Sequence, residues 1–356
     1  MKIGLICLLA IAPAVAPMAH GWTYTNLHPS GASVSAGFGA GGNTQSGNSN
    51  MSGVLRAGLW NATASSWIDL HPTGANYSES WGASATSQVG YAHIGVTTHA
   101  SLWTGTSGSW VSLNPSVALG SVAYAATSTN QIGNTYAFST VLASMWSGSA
   151  GSWVNLNPLG ATSSEAFGAS STNQVGYATL GGVQSAGMWS GVSSSFVNLH
   201  PSGASSSRAH AATGTTQAGY AVIGGNSHAS IWAGSAGSWV DLNPSGAASS
   251  TIWGAADGYQ AGGSIIGGAQ RASLWSGSAG SFVDLQSFLP ASFSNSVARG
   301  ISTDGVNYYI VGIGRNTATG RDEAVLWTEA VPEPGTILVL GAGLLAVARK
   351  RRASRK

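Results

Sequence analysis

The chain has 356 residues, of which only 7% are charged, against about 25% in an ordinary globular domain, while 51 are Gly and 14 are Trp. Its net charge of +2 comes from the two ends, because residues 22–330 hold six Arg, no Lys and ten Asp or Glu, a net −4. That excludes the basic patch a nucleic-acid partner would need, and the single cysteine, Cys7, leaves the body without disulfides, thiolate ligands or a Cys nucleophile.

Residues 1–21 carry Lys2, an apolar run from Ile3 to Val15, and small residues at Ala19 and Gly21. This is the layout of a secretory signal peptide, removed by signal peptidase after Ala19 or Gly21. Cys7 lies too early to be a lipoprotein anchor.

From residue 22 to 330 the sequence repeats. Trp60, Trp103, Trp146, Trp189, Trp232 and Trp275 are each 43 residues apart, and Trp327 follows after 52. Each repeat holds four short β-type elements, typified by Ala166–Ala169, Gln174–Ala178, Ser185–Trp189 and Ser195–Pro201, all bounded by Gly, Ser or Asn. Helical periodicity is absent from this body. Four strands in about 43 residues is the length of a β-propeller blade. The spacing therefore predicts an all-β, seven-bladed β-propeller.

The phase of the repeat is as informative as its length. The body begins with a fourth element, around Trp22–Pro29, and ends with a third, at Trp327. These leftover pieces complete one blade, so the N-terminal strand is expected outermost on the last blade, beside the strand ending at Trp327. Closure of this kind removes exposed sheet edges, whereas a stacked solenoid would call for polar caps.

Residues that recur at every repeat are assigned to packing. The seven Trp should fill the wedges between blades. Gly47, Gly90, Gly133, Gly176, Gly219 and Gly262 mark a kink or close approach in the second strand, and six Gln, from Gln45 to Gln260, are expected to bond a turn backbone. His28, His71 and His200 share a slot with Asn114, Asn157 and Asn243, so they read as turn residues on separate blades. Spread around a rim, they cannot converge on one ion as metal binding requires. No cofactor motif is present, and no nucleophile elbow or phosphate loop with its helix is found.

Chemistry is sought instead where the innermost strand varies. At one register it reads Phe38, Trp81, Tyr124, Phe167, His210, Trp253 and, allowing for insertions, Arg299. Two positions earlier stand Glu79, Glu165 and Arg208. Innermost strands converge on the axial channel, so Glu79, Trp81, Glu165, Arg208, His210, Trp253 and Arg299 form the candidate ligand site. The last repeat is longer by nine residues and holds Arg299, Arg315, Arg321, Asp322 and Glu323, which serve either a partner or the closure seam.

The C-terminus reads Val331-Pro332-Glu333-Pro334, then an apolar run from Ile337 to Ala348, then Arg349-Lys350-Arg351-Arg352. Twelve apolar residues make a short hydrophobic helix of about 18 Å, less than the roughly 30 Å hydrocarbon core. The basic cluster would hold this end on the cytoplasmic side. Residues 331–356 resemble the PEP-CTERM sorting signal. The resemblance implies recognition by an exosortase-type membrane protease, membrane contact through the tail before processing near Pro332, Glu333 and Pro334, and a Gram-negative bacterium that makes extracellular polysaccharide. The repeats are also similar to extracellular propeller repeats found upstream of such signals, most closely at His228-Ala229-Ser230-Ile231-Trp232.

Together these readings divide the chain into a signal peptide (1–21), a propeller (22–330) and a sorting signal (331–356). The expected function is a non-enzymatic protein of the cell surface or extracellular matrix, its propeller binding polysaccharide or another protein. The alternative is a secreted glycan-processing enzyme with acids at the channel mouth.

Overall fold

A computed structural model describes residues 21–331 apart from residue 138. The expected signal peptide, the expected tail helix and the Pro332-Glu333-Pro334 motif lie outside the described residues. Among the described residues no helix is long and apolar enough to cross a membrane.

Seven four-stranded antiparallel sheets form the blades. Blades 1 to 6 are each continuous in sequence: 32–69, 75–112, 120–155, 164–198, 207–241 and 247–284. Blade 7 combines residues 293–330 with the N-terminal strand Thr23–Asn26. Tyr24 pairs with Trp327 and Asn26 with Val325, so the leftover N-terminal element does complete the last blade.

The ring closes at the inner strands as well. A Cβ on Gly300 of blade 7 would lie 2.8 Å from the Phe38 carbonyl of blade 1. Such contact leaves no room for a side chain, which is why the sequence places glycine there.

The wedges between blades are filled as the repeat predicts. All seven periodic Trp are buried, six at 0% exposure and Trp232 at 1%. Trp146 of blade 3 packs on Val89, Ala100 and Leu102 of blade 2. Across the seam, Trp60 of blade 1 packs on Val311, Ala324 and Leu326 of blade 7. Buried aromatics of this size remove about 150–250 Å² each from water, so seven of them supply much of the cohesion between blades.

Polar links repeat with the same spacing. The Ser78 hydroxyl of blade 2 accepts from the Ala57 amide of blade 1 at 3.0 Å and contacts His71 Nδ1 at 2.8 Å. Ser207 repeats the arrangement with Ala186 and His200. At the seam Ser35 repeats it with Ala324 and His28. The rim histidines thus orient serines that tie one blade to the next. The Gln positions work locally: the Gln88 carbonyl accepts from Gly105 N–H, and Gln174 from Gly191 N–H, holding the turn after the third strand.

The fourth strand is shorter than the sequence suggests. In blade 4 it is only Val197–Asn198, preceded by the 3-10 turn Ser193–Ser195. Its anchor is the aromatic ring after that turn, which covers the third strand. A Cβ on Gly187 would meet the Phe196 ring at 2.0 Å. The aromatic contact replaces ladder bonds, and the pairing needs only two residues.

Two of the charges of the last repeat, Glu323 and Arg321, serve closure. Glu323 is 1% exposed and accepts from Asn26, Asn316, Thr319 and Arg321 at 2.8–2.9 Å. Asn26 belongs to the N-terminal strand, so this carboxylate fastens the closing strand to blade 7. Arg315 and Asp322 form an exposed pair at 3.4 Å, and Arg299 alone among these residues reaches the axis.

Candidate functional site

In all seven inner strands, pairing with the second strand slips by one residue at one register. The residues left unopposed are Phe38, Trp81, Tyr124, Phe167, His210, Trp253 and Arg299. A β-bulge frees one residue from the ladder and re-aims its side chain. Here seven bulges turn seven side chains into the axial channel, where all of them line the same cavities. The second-strand glycines stand opposite. A Cβ on Gly176 would fall 1.8 Å from the Glu165 carbonyl oxygen, so the close approach excludes any larger residue.

The seven side chains form a collar by touching in sequence. Phe38 stacks on Trp81 at 5.0 Å, and Trp81 meets Tyr124 edge-on at 5.5 Å. Phe167 follows at 5.3 Å from Tyr124 and the same distance from His210. Trp253 is contacted from both neighbouring blades: His210 lies parallel to it at 4.4 Å, and the Arg299 guanidinium sits 4.3 Å from its centroid. Stacked and edge-on pairs of this kind are favourable beyond their buried area, as is the cation over the indole.

Two cavities share this collar. One, of 160 Å³, is bordered by small residues following the bulges, such as Ala40, Ala83 and Ala169. The other, of 320 Å³, is bordered also by Glu165 and Arg208. The second is the polar chamber, and it brings together six of the seven candidate residues. Glu79 does not border it. That carboxylate is held between Asn48 Nδ2, at 2.7 Å, and the Tyr91 hydroxyl.

Glu165 repeats the arrangement two blades on, with Asn134 at 3.1 Å and the Tyr177 hydroxyl at 2.6 Å. Burial, then the hydrogen bond to the carboxylate, push the Tyr91 and Tyr177 hydroxyls up, so both remain protonated donors. Arg208 lies over the Tyr177 ring at 4.6 Å and is held by Gln184 Oε1 at 2.8 and 3.2 Å. Tyr177 thus braces both Glu165 and Arg208, the two charged residues that border the chamber beside Arg299.

His210 is buried, and burial lowers its pKa to about 4. It is neutral at pH 7. Its Nδ1 lies 2.9 Å from the Ile252 carbonyl, which can only accept. The proton is therefore on Nδ1, and Nε2 keeps an acceptor lone pair. Arg299 has its pKa lowered by burial, and its Nε is buried without a hydrogen-bond partner. Among the described residues no carboxylate pairs with it. The chamber thus holds two guanidiniums, one carboxylate already accepting two hydrogen bonds, and a neutral imidazole.

Among the described residues no group of three or more His, Cys, Asp or Glu could hold a metal ion. His99 and His228 instead contact Ser112 at 2.9 Å and Asp241 at 2.7 Å on their own blades. Sequence reading missed Phe38, Tyr124 and Phe167 as members of the site, although they occupy its register. It also missed Tyr177 and Asn134. Their 43-residue slots alternate, with Asn48 and Asn134 on blades 1 and 3 and Tyr91 and Tyr177 on blades 2 and 4. That alternation was the available signal.

Residues 330–352 match the PEP-CTERM protein-sorting motif. The β-propeller domain of the trilobed protease from Pyrococcus furiosus is similar in structure, with TM-score 0.54 and 8% identity over 85% of this chain and 97% of that one. Its topology is described as open Velcro; here the N-terminal strand closes the last blade. TolB from Acinetobacter baumannii (TM-score 0.46, 10% identity) is covered over 64% of its length by 72% of this chain. The tricorn protease (TM-score 0.39, 9% identity) is covered over 26% of its length by 84% of this chain. The chain thus spans less than two thirds of either. At 8% identity the likeness to the trilobed protease's propeller domain shows the fold alone. No curated protein sequence matches the chain.

Proposed function

We propose, on the premise that the PEP-CTERM motif marks an exported protein of the bacterial cell envelope or surface, that the propeller is a non-enzymatic binding module for polysaccharide. In this reading a signal peptide directs export, and an exosortase-type protease removes the tail. The mature propeller then works at the surface or in the extracellular matrix of a Gram-negative bacterium. The observation that carries the binding role is the collar. Seven bulges present six flat π-systems and one guanidinium to a single 320 Å³ chamber, a concave aromatic site with a few convergent polar groups. Ring faces suit the C–H faces of sugars, and the Arg and His edges suit hydroxyl groups.

A hydrolytic site would need a second acid near Glu165, at about 5–10 Å. Glu79, the other candidate, is clamped by Asn48 and Tyr91 on a blade that does not bring it to the chamber. This favours binding over glycan processing.

The test is binding of the protein to surface polysaccharides immobilised as an array. Trp253→Ala should abolish capture, while Glu79→Ala should leave it intact. Capture unaffected by Trp253→Ala in a folded variant would remove the chamber from the account. Release of new reducing ends from a captured glycan would replace binding with catalysis.

A further inference from the structure

A third cavity borders the collar through Trp81 and Tyr124. It measures 400 Å³, lies between blades 2 and 3, and is bordered by Tyr77, Trp81, Tyr91, Tyr124 and Tyr136. Trp81 and Tyr124 also border the chamber, so the two spaces adjoin at these rings.

Two aromatics of this groove, Tyr77 and Tyr136, are departures from the repeat. The slot of Tyr77 holds Ser163, Ser206 and Ser249 on blades 4 to 6, and that of Tyr136 holds Asn50 and Thr179 on blades 1 and 4. Neither tyrosine fills the core: they are 36% and 38% exposed. Tyr77 is held by stacking on His93 at 4.8 Å and meets Tyr91 edge-on. Gly120 stands where blade 2 has Tyr77. A Cβ there would lie 3.5 Å from the Tyr136 ring, an ordinary contact distance, so the ring packs beside this slot.

The two spaces differ in chemistry. No charged side chain borders the groove, whose walls are rings, Val122 and Thr98. The chamber has Arg208 and Arg299 against Glu165, and Arg299 lacks any carboxylate partner among the described residues. A buried cation of this kind gains most from an incoming anion, through short charge-assisted bonds. A peptide would leave its amides facing ring surfaces, whereas a sugar chain presents C–H faces to them.

We infer that the ligand is a linear acidic glycan held by its end, with an acidic terminal unit in the axial chamber and the following units along the tyrosine groove of blades 2 and 3. This deepens the polysaccharide-binding reading and rests on it. The chamber sets the preference for an acid. The groove sets the preference for a chain.

The experiment is calorimetric titration of the protein with oligomannuronates from the monomer to the hexamer, beside neutral oligomannosides of the same lengths. The acidic series should bind roughly tenfold or more tighter than the neutral one, the scale of a charge-assisted hydrogen bond. Affinity should rise with length over the first few units. Tyr77→Ala and Tyr136→Ala should each weaken the longer oligomers about 2–10-fold, the range of one aromatic contact, and leave the monomer unchanged. Arg299→Gln should erase the acid preference at every length.

Both tyrosines are exposed, so their variants are expected to fold, and retained monomer binding reports that they do. Equal binding of acidic and neutral series, or affinity independent of length, overturns the inference while leaving a chamber-bound glycan intact. An acidic tetrapeptide bound more tightly than any oligosaccharide overturns it in favour of a protein partner. Failure of both series, with no array glycan captured either, brings down the binding reading itself.

Discussion

Replacing Glu323 by Gln should open the ring at its seam. The carboxylate is 1% exposed, and four donors converge on it, one of them Asn26 from the closing strand. Burial alone would raise its pKa. The hydrogen bonds from Asn316, Arg321, Asn26 and Thr319 outweigh burial and bring it down from 4.5 to about 2. A shift of that size corresponds to about 3 kcal/mol of stability at neutral pH. Because the folded value lies below the unfolded one, the stabilisation is complete above pH 4.5 and fades as pH falls toward 2.

Gln adds a second loss. Its amide nitrogen would face the Asn donors, leaving buried polar groups unsatisfied at about 1–3 kcal/mol. Urea unfolding followed by Trp fluorescence measures both effects. With a denaturant slope of roughly 3 kcal/mol/M, the two losses together should lower the midpoint of Glu323→Gln by about 1.3–2 M at pH 7. That gap should narrow by pH 3 and further toward pH 2. An unchanged midpoint at pH 7 would refute the clasp. A gap of equal size at pH 2 would show that charge is not its basis.

Gly176→Ala should destabilise blade 4 by at least about 3 kcal/mol, because its Cβ would sit 1.8 Å from the Glu165 carbonyl and the backbone must move; a thermal scan reads this directly. His210, with its folded pKa depressed by burial to about 4, should make the protein progressively less stable as pH drops from 6.5 toward 4, and His210→Phe should flatten that slope in paired denaturation curves. Truncation after residue 330 should release the protein from the envelope into the medium, and intact mass should show the wild-type tail removed near Pro332–Pro334; a mature protein that keeps its last 26 residues would contradict processing.

Much of the fold was legible because each blade restates the same local constraint. Trp at a 43-residue spacing, Gln at the entry to the second strand and small residues at close approaches announce the period. The incomplete elements at Trp22 and Trp327 announce how the ring closes. The site was legible only in register. Phe38 through Arg299 could be aligned as one column, but a column of aromatics does not reveal a bulge. The slip depends on a second strand whose glycine admits the neighbouring carbonyl, a fact of pairing rather than composition.

Glu79 and Glu165 looked like a pair of free acids because their partners are remote. Asn48 and Asn134 come from the preceding blade, 31 residues earlier. The charge of the last repeat was ambiguous for the same reason. Glu323 meets Asn26 across 297 residues, so its role in closure existed only once the ring was formed. The tyrosine groove lay in plain view as departures at two slots, Tyr77 where later blades have Ser and Tyr136 where blades 1 and 4 have Asn50 and Thr179, but contact between Tyr77 and Tyr91 requires the blade to be built.

The central claim is that ligand binding occurs at the bulged inner strands. Amide hydrogen exchange read by mass spectrometry, with and without the surface polysaccharide of the producing bacterium, tests it most directly. The account predicts protection concentrated in the inner strands Ser164–Ala169, Ser207–Ala212, Ala247–Ala256 and Phe293–Thr303, with the outer strands unchanged. Protection confined to the outer strands or the rim turns would contradict it.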